Sequence, residues 1–176
     1  MSIDPSSSQL LVVDFQERLF AAMPEAPRAS ASKAGDNLIF TARELGVPVT
    51  FTEQYPQGLG PTLPEFGASD PFVKLAFAAT DEPGFDDRLP ARRHVVVFGM
   101  ETHICVAHTV AGLRARGLAV TVAYDACLSR RAADADAGLA WMRGEGALIL
   151  PSETVLFGWL GRAEGPLFKA VSRRIR

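Results

Sequence analysis

A βαβ unit in the second half of the chain leaves it few possible folds. Residues 94–98 are an apolar run typical of a buried strand, and residues 118–124 form a second one. Between them, Thr102 is placed to cap a helix that runs to about Arg116, and Gly117 ends this helix. Because two strands joined through a helix run parallel, the unit predicts a parallel sheet with helices packed on its faces.

Apolar runs and helical segments alternate along the rest of the chain. Further strands are predicted at residues 9–14, 47–51, 72–75 and 147–150. Helices are predicted from Ser30 or Ser32 to Leu45, over about 131–143 and from residue 152 onward, with one helical turn at 85–89. Residues 53–71 are rich in Pro and Gly, which predicts a long structureless loop of the kind that is usually functional. The pattern predicts an α/β fold with a mainly parallel sheet covered on both faces.

The composition is that of one globular domain, predicted to span residues 1–176. A formal net charge of −2 argues against nucleic acid as a partner. Two cysteines are too few for a secreted disulfide framework, and Cys and His show no zinc-site spacing. Residues 1–8 lack the features of a signal peptide, and the apolar runs are too short to span a membrane. We therefore expect a cytoplasmic protein that does not contact membranes.

Two charged residues stand where predicted strands end. Asp14 closes the first strand, and Lys74 lies in the short strand at 72–75. Taken alone, Asp14 is also consistent with a turn or helix cap, and Lys74 with an edge lysine whose amine reaches solvent. If both are buried, each needs an oppositely charged partner, because an unpaired buried charge is costly.

Cys105 would be the third residue of the helix that Thr102 caps. There its thiol would meet free backbone N–H groups and the positive end of the helix dipole, which lower a cysteine pKa. The alternative is a small residue of the core. Because the carboxyl ends of parallel strands meet at one edge of a sheet, Asp14, Lys74 and Cys105 are expected to converge there. Together they would supply a thiol nucleophile, its proton acceptor and a counter-charge.

The sequence resembles the isochorismatase-like cysteine hydrolases, and within them the isochorismatase-domain-containing proteins. The resemblance rests on Asp14 in LLVVDFQE, on TEQYPQGLG at 52–60, on Lys74 and on VFGMETHICV at 97–106. The segment YDACLSR at 124–130 continues it. The resemblance covers most of the chain and implies a doubly wound sheet of six parallel strands.

The resemblance also implies a mechanism. Asp14, Lys74 and Cys105 would form a catalytic triad in which the thiol attacks an amide or related C–N carbonyl and forms a thioester that water hydrolyses. Asp14 would take the thiol proton and later activate water, while Lys74 would hold Asp14 and stabilise the thiolate. A cis peptide is implied at Met100–Glu101, and the backbone amides of Glu101 and Cys105 are the candidates for an oxyanion hole.

Other residues receive weaker assignments. Metal-binding relatives in this family carry an Asp-x-His segment where residues 52–55 here have no histidine, so neither a metal nor another cofactor is expected. His94 is expected at the surface, His103 to point away from Cys105, and Cys127 to be a structural thiol. The candidate walls of a pocket for a small-molecule substrate, of which the aromatic members could equally be core residues, are Phe15, Gln16, Tyr55, Phe77, Thr102 and His103.

Two alternatives to a hydrolase stay open. One is a catalytically silent scaffold that keeps the fold. The other is a redox sensor in which Cys127 resolves an oxidised Cys105, which requires the two α-carbons to lie within about 7 Å. The apolar tail helices and the family resemblance also lead us to expect a homo-oligomer, a dimer or a tetramer.

Overall fold

Six parallel strands form the central sheet of the computed structural model, which describes residues 3–176. The strands are β1 (Ser8–Val13), β2 (Val49–Gln54), β3 (Phe72–Lys74), β4 (His94–Gly99), β5 (Ala119–Ala123) and β6 (Leu148–Leu150). Their order across the sheet is β3-β2-β1-β4-β5-β6, and each pairing between neighbours is parallel. This confirms the predicted doubly wound α/β fold.

Helices cover both faces of the sheet. They are α1 (Glu17–Ala21), α2 (Glu25–Glu44), α3 (Pro56–Leu59), α4 (Phe85–Arg88), α5 (Ala107–Ala115), α6 (Ala132–Gly144), α7 (Ser152–Leu160) and α8 (Gly165–Arg174). Because side chains alternate along a strand, Leu10 and Val12 join the core under α2 and α7, while Leu11 and Val13 join the core under α5 and α6. Within residues 3–176, no helix has the length and hydrophobicity that crossing a bilayer requires.

The chain changes direction across the sheet between β1 and β4. In doubly wound sheets, the crevice at such a switch point is where ligands bind. Gly99 ends β4 here with a φ of +150°, and a Cβ at this position would collide with the Val13 carbonyl oxygen. Only glycine therefore allows β4 to end this close to β1.

Helix α2 begins earlier than predicted. It starts at Glu25 rather than at Ser30 or Ser32, and Pro27 lies in its first turn. Proline is tolerated there because the first N–H groups of a helix have no intrahelical partner. Helix α1 was not predicted, since five residues are too few to show a helical period.

Residues 53–71 are not the structureless loop that the Pro and Gly content predicted. Strand β2 continues to Gln54, Pro56–Leu59 form α3, and Pro64–Phe66 form a 3₁₀ turn. Both helical turns begin with proline, whose fixed φ suits the first helical position. The prediction failed because turns this short leave no periodic pattern.

The helix after β4 also begins differently from the prediction. Its first turn, Thr102–Val106, is π-helical, and α5 follows it directly. Glu101 occupies the position before the first turn, and the Thr102 hydroxyl is buried without a hydrogen-bond partner among the described residues. Thr102 is instead held through its backbone N–H, which donates to the Leu128 carbonyl at 2.9 Å. Single π-helical turns occur frequently at functional sites.

His94 is buried, and the prediction of an exposed histidine was wrong. Its ring nitrogens lie 3.1 Å from the Ser8 hydroxyl and 2.9 Å from the Thr121 hydroxyl. Burial lowers the pKa of His94, so the ring is neutral at pH 7. The reason is the position of β4, which lies between β1 and β5 and is therefore covered from its first residue.

Candidate active site

Asp14 lies directly after β1, at the carboxyl edge of the sheet. Its φ of +50° is in the left-handed region, which Asp tolerates better than most residues. The side chain is buried, and its Oδ1 accepts a hydrogen bond of 2.6 Å from the Thr52 hydroxyl on β2. The Asp14 backbone N–H donates to the Thr52 carbonyl at 3.1 Å. The neighbouring strand thus fixes one carboxylate oxygen.

Lys74 is the last residue of β3 and is buried against this carboxylate. Its Nζ lies 2.7 Å from Asp14 Oδ2, and both side chains are fully shielded from solvent. The ammonium also donates to Gln54 Oε1 at 2.7 Å and to the carbonyls of Ala76 and Phe77 at 3.1 Å each. Lys74 is therefore a paired buried cation rather than an edge lysine that reaches solvent.

The Oδ2 atom of Asp14 keeps an unused lone pair. An ammonium has three N–H groups, and those of Lys74 point to three other oxygens. Apart from its ion contact with Lys74, Oδ2 has no hydrogen-bond partner within the described part of the chain. The charges of Asp14 and Lys74 both act on the pKa of the Cys105 thiol. The structure therefore brings Asp14, Lys74 and Cys105 to the same edge of the sheet.

Cys105 lies in the π-helical turn and is buried. Burial, with a further contribution from the negative charge of Asp14, raises the pKa of the Cys105 thiol to about 12, and Lys74 opposes this only in part. The expectation of a lowered thiol pKa at a helix terminus was wrong in direction, because burial removes the solvation that the thiolate needs. The resting group at neutral pH is a thiol, so a nucleophilic sulfur requires a base.

Glu101 begins the turn that carries Cys105. The Met100–Glu101 peptide is cis, and in residues 3–176 the Glu101 backbone N–H donates to no hydrogen-bond acceptor. The buried Glu101 carboxylate accepts from Arg130 Nε at 3.0 and 3.1 Å and from the Arg130 backbone N–H at 3.1 Å. Although burial alone would raise it, these contacts hold the pKa of Glu101 below its ordinary value. Arg130 therefore anchors this turn, a role that the sequence did not reveal.

A cavity of about 110 Å³ opens onto Cys105. Its lining residues are Leu19, Gln54, Leu59, Phe77, Glu101, Ile104 and Cys105. Of the predicted pocket residues, Phe77 lines it. Leu19 and Leu59 were missed because helical turns bring them back over the sheet edge, although Leu59 lies in the segment 53–71 that was expected to be functional.

The other candidate pocket residues do not line this cavity, and one of them, Gln16, makes hydrogen bonds with the backbone instead. Phe15 packs in the core, 4.9 Å from Phe66 between ring centroids. Gln16 is buried and accepts from the Gln54 backbone N–H at 2.8 Å, which ties β1 to β2. Tyr55 is exposed, and Thr102 is buried in the π-helical turn.

The remaining histidine and cysteine candidates make contacts of their own. His103 lies with Nδ1 3.0 Å from the Ser129 hydroxyl and Nε2 3.9 Å from Asp134, so its ring faces α6. Cys127 donates to the Ala123 carbonyl at 3.4 Å, and burial raises the pKa of its thiol to about 12. Among the residues described, no group of three or more His, Cys, Asp or Glu is arranged to hold a metal ion.

Comparison with known proteins places these motifs in a family. Residues 8–154 match the model of the isochorismatase domain. Isochorismatase domain-containing protein 2 of Bos taurus is 38% identical over 177 residues, which cover 98% of this chain and 84% of the bovine protein.

Solved structures extend the comparison. A structure described as the MAR1 ribonuclease of Caenorhabditis elegans is 34% identical, with a TM-score of 0.90 over 99% of this chain and 92% of that one. The YcaC gene product of Escherichia coli, described as an octameric hydrolase of unknown specificity, is 19% identical and shares the fold, with a TM-score of 0.87 over 99% of this chain and 90% of that one. The domain match over most of the chain and the full-length similarity to the bovine protein show that this chain belongs to the isochorismatase family of hydrolase-like proteins.

Proposed function

We propose that this protein is a cysteine-dependent hydrolase of a small amide or a related C–N substrate. The observation that carries the proposal is the buried ion pair between Asp14 and Lys74, both of which act on the charge state of the buried Cys105 thiol. A buried pair of charges with no role in binding or catalysis is a costly way to stabilise a fold. Its position at the switch point of the sheet supports a catalytic role.

The proposed first half-reaction forms a thioester. Asp14 accepts the thiol proton while the sulfur attacks the carbonyl carbon, so an S–C bond forms and negative charge develops on the oxygen. Asp14 then gives this proton to the leaving nitrogen, the C–N bond breaks, and ammonia or an amine departs. In this proposal the backbone amides of Glu101 and Cys105 stabilise the oxyanion.

The second half-reaction returns the enzyme to its starting state. Asp14 accepts a proton from water, and the resulting hydroxide adds to the thioester carbonyl. The C–S bond then breaks, the acid leaves, and the proton returns to the Cys105 sulfur. One water is consumed for each C–N bond, and no oxidant or cofactor is required.

The test is a panel of small primary amides, read by ammonia release and by the intact mass of the protein. We expect ammonia release by the wild type and an added acyl mass on the Cys105 peptide in acid-quenched samples. Cys105→Ala should show neither, with an unchanged circular dichroism spectrum, since it removes only the nucleophile. Turnover that survives in Cys105→Ala would contradict the proposal, and an inert Cys105 across the panel would favour the scaffold or the redox sensor.

Ribonuclease activity, after which the Caenorhabditis elegans protein is named, is not proposed for this chain. The cavity at Cys105 is lined mainly by apolar side chains, and the chain carries a net charge of −2. Binding a phosphodiester backbone depends on basic side chains that neutralise phosphates.

We also propose that the chain forms a homo-oligomer, a dimer or a tetramer, through the edge of the sheet at β3. Val73, Leu75 and Phe77 are each more than half exposed there, and β3 is an edge strand with no neighbouring strand on its outer side among the described residues. The Escherichia coli neighbour is described as octameric.

Light scattering coupled to size-exclusion chromatography measures the molar mass of the assembly. The wild type should give two or four times 18.9 kDa, and Leu75→Glu should reduce this mass. Leu148→Glu, at the opposite edge strand β6, is the matched control and should leave it unchanged. A monomeric wild type would rule out self-association.

A further inference from the structure

The cavity at Cys105 is lined mainly by apolar side chains. Leu19 from α1, Leu59 from α3, Phe77 after β3 and Ile104 from the π-helical turn surround the thiol. At about 110 Å³, the space is well below the roughly 300 Å³ at which pockets for drug-sized ligands begin. A group that enters it exchanges water for aliphatic and aromatic surface.

The polar side chains at the cavity are already engaged. Gln54 accepts from Lys74 at 2.7 Å and donates to the Leu75 carbonyl at 2.8 Å. The Glu101 carboxylate is held by Arg130. The Lys74 ammonium directs its three N–H groups to protein oxygens and is fully shielded.

An anionic substituent would therefore meet no free cation in this cavity, as far as the described residues line it. It would lose its hydration beside the Glu101 carboxylate, whose counter-ion Arg130 is already engaged, and burying an unpaired charge is costly. A neutral apolar group would bury surface at a gain of about 25 cal/mol per Å².

We propose that the substrate is a neutral primary amide with a short apolar acyl group, and that acyl groups bearing a carboxylate or phosphate are excluded. This inference rests on the proposed hydrolase function for its chemistry. It rests on the cavity walls alone for its selectivity, so the two can be tested separately.

The first test reads selectivity without turnover. Cys105 is alkylated at pH 9 with iodoacetamide or with iodoacetate, and its modification is followed by peptide mass spectrometry. The ratio of the iodoacetamide rate to the iodoacetate rate is then divided by the same ratio for 2-mercaptoethanol, which corrects for the intrinsic reactivity of the two reagents. We expect a corrected preference for the neutral reagent of tenfold or more. Leu59→Lys, which places a cation at the wall, should reduce this preference at least threefold, whereas the neutral control Leu59→Gln should not. A preference below tenfold in the wild type, or no response to Leu59→Lys, overturns the inference.

The second test uses a matched pair of substrates. Butyramide and succinamate differ only in a terminal methyl or carboxylate group, and we expect kcat/KM for butyramide to be at least a hundredfold higher. Hydrolysis of succinamate at an equal or greater rate would overturn the inference and leave the hydrolase intact. If neither amide is hydrolysed while Cys105 excludes iodoacetate, the proposed function fails and the charge selectivity of the cavity stands.

Discussion

Asp14→Asn should lower amide turnover by about 10²–10⁴-fold and at the same time make Cys105 easier to alkylate. Turnover falls because asparagine cannot accept the thiol proton. Alkylation accelerates because the Asp14 charge helps to raise the pKa of the Cys105 thiol to about 12, while Lys74 acts in the opposite direction. With the carboxylate gone, the unpaired ammonium of Lys74 favours the thiolate.

The measurement is the iodoacetamide labelling rate of Cys105 between pH 6 and pH 11, beside ammonia release. The wild-type rate should still be rising at pH 11, and the Asp14→Asn curve should be displaced to lower pH. Asp136→Asn, on the exposed face of α6, is the control and should match the wild type in both assays. If Asp14→Asn slows alkylation, Asp14 does not oppose ionisation of the thiol and this electrostatic account of the site is wrong.

Lys74→Met should destabilise the fold by about 3–5 kcal/mol, the range found when one partner of a buried ion pair is removed. The Asp14 carboxylate would remain buried without its counter-ion. The Gln54, Ala76 and Phe77 oxygens would also lose their donor. Urea unfolding followed by circular dichroism should show a midpoint lowered by more than about 1 M.

The double variant Asp14→Asn/Lys74→Met separates charge from packing. It removes both charges, so it should be more stable than Lys74→Met by at least about 1 kcal/mol. Lys169→Met, at an exposed position on α8, should change stability by less than about 0.5 kcal/mol. A double variant no more stable than Lys74→Met would show that the loss comes from the lysine's packing and hydrogen bonds rather than from the stranded carboxylate.

The convergence of Asp14, Lys74 and Cys105 could be predicted because it depends on strand order and direction. Each residue lies at or just after the carboxyl end of a strand, and parallel strands bring those ends to one edge. The motif at 97–106 around Cys105 was visible in the sequence for a different reason, since it consists of neighbouring residues along the chain. The catalytic roles of these residues stay a prediction until the variants are measured.

Properties that depend on solvation could not be predicted in the same way. The sequence indicated a helix terminus at Cys105 and hence a low pKa, but the thiol is buried beside a carboxylate and its pKa rises. His94 begins a strand, yet its neighbours on β1 and β5 cover it. Both errors have the same origin. The burial of a side chain depends on segments that are distant from it in the sequence.

The sequence by itself determined the α/β class, the parallel sheet and the family motifs. This is because the periodicity of hydrophobic residues and the positions of turn residues depend only on residues close together along the chain. The tertiary structure decided that Asp14 and Lys74 pair in the interior, how Arg130 holds Glu101 and which apolar side chains line the cavity at Cys105. Leu19, Leu59 and Phe77 come from separate elements, and only the packed chain brings them to the cavity that Cys105 also lines.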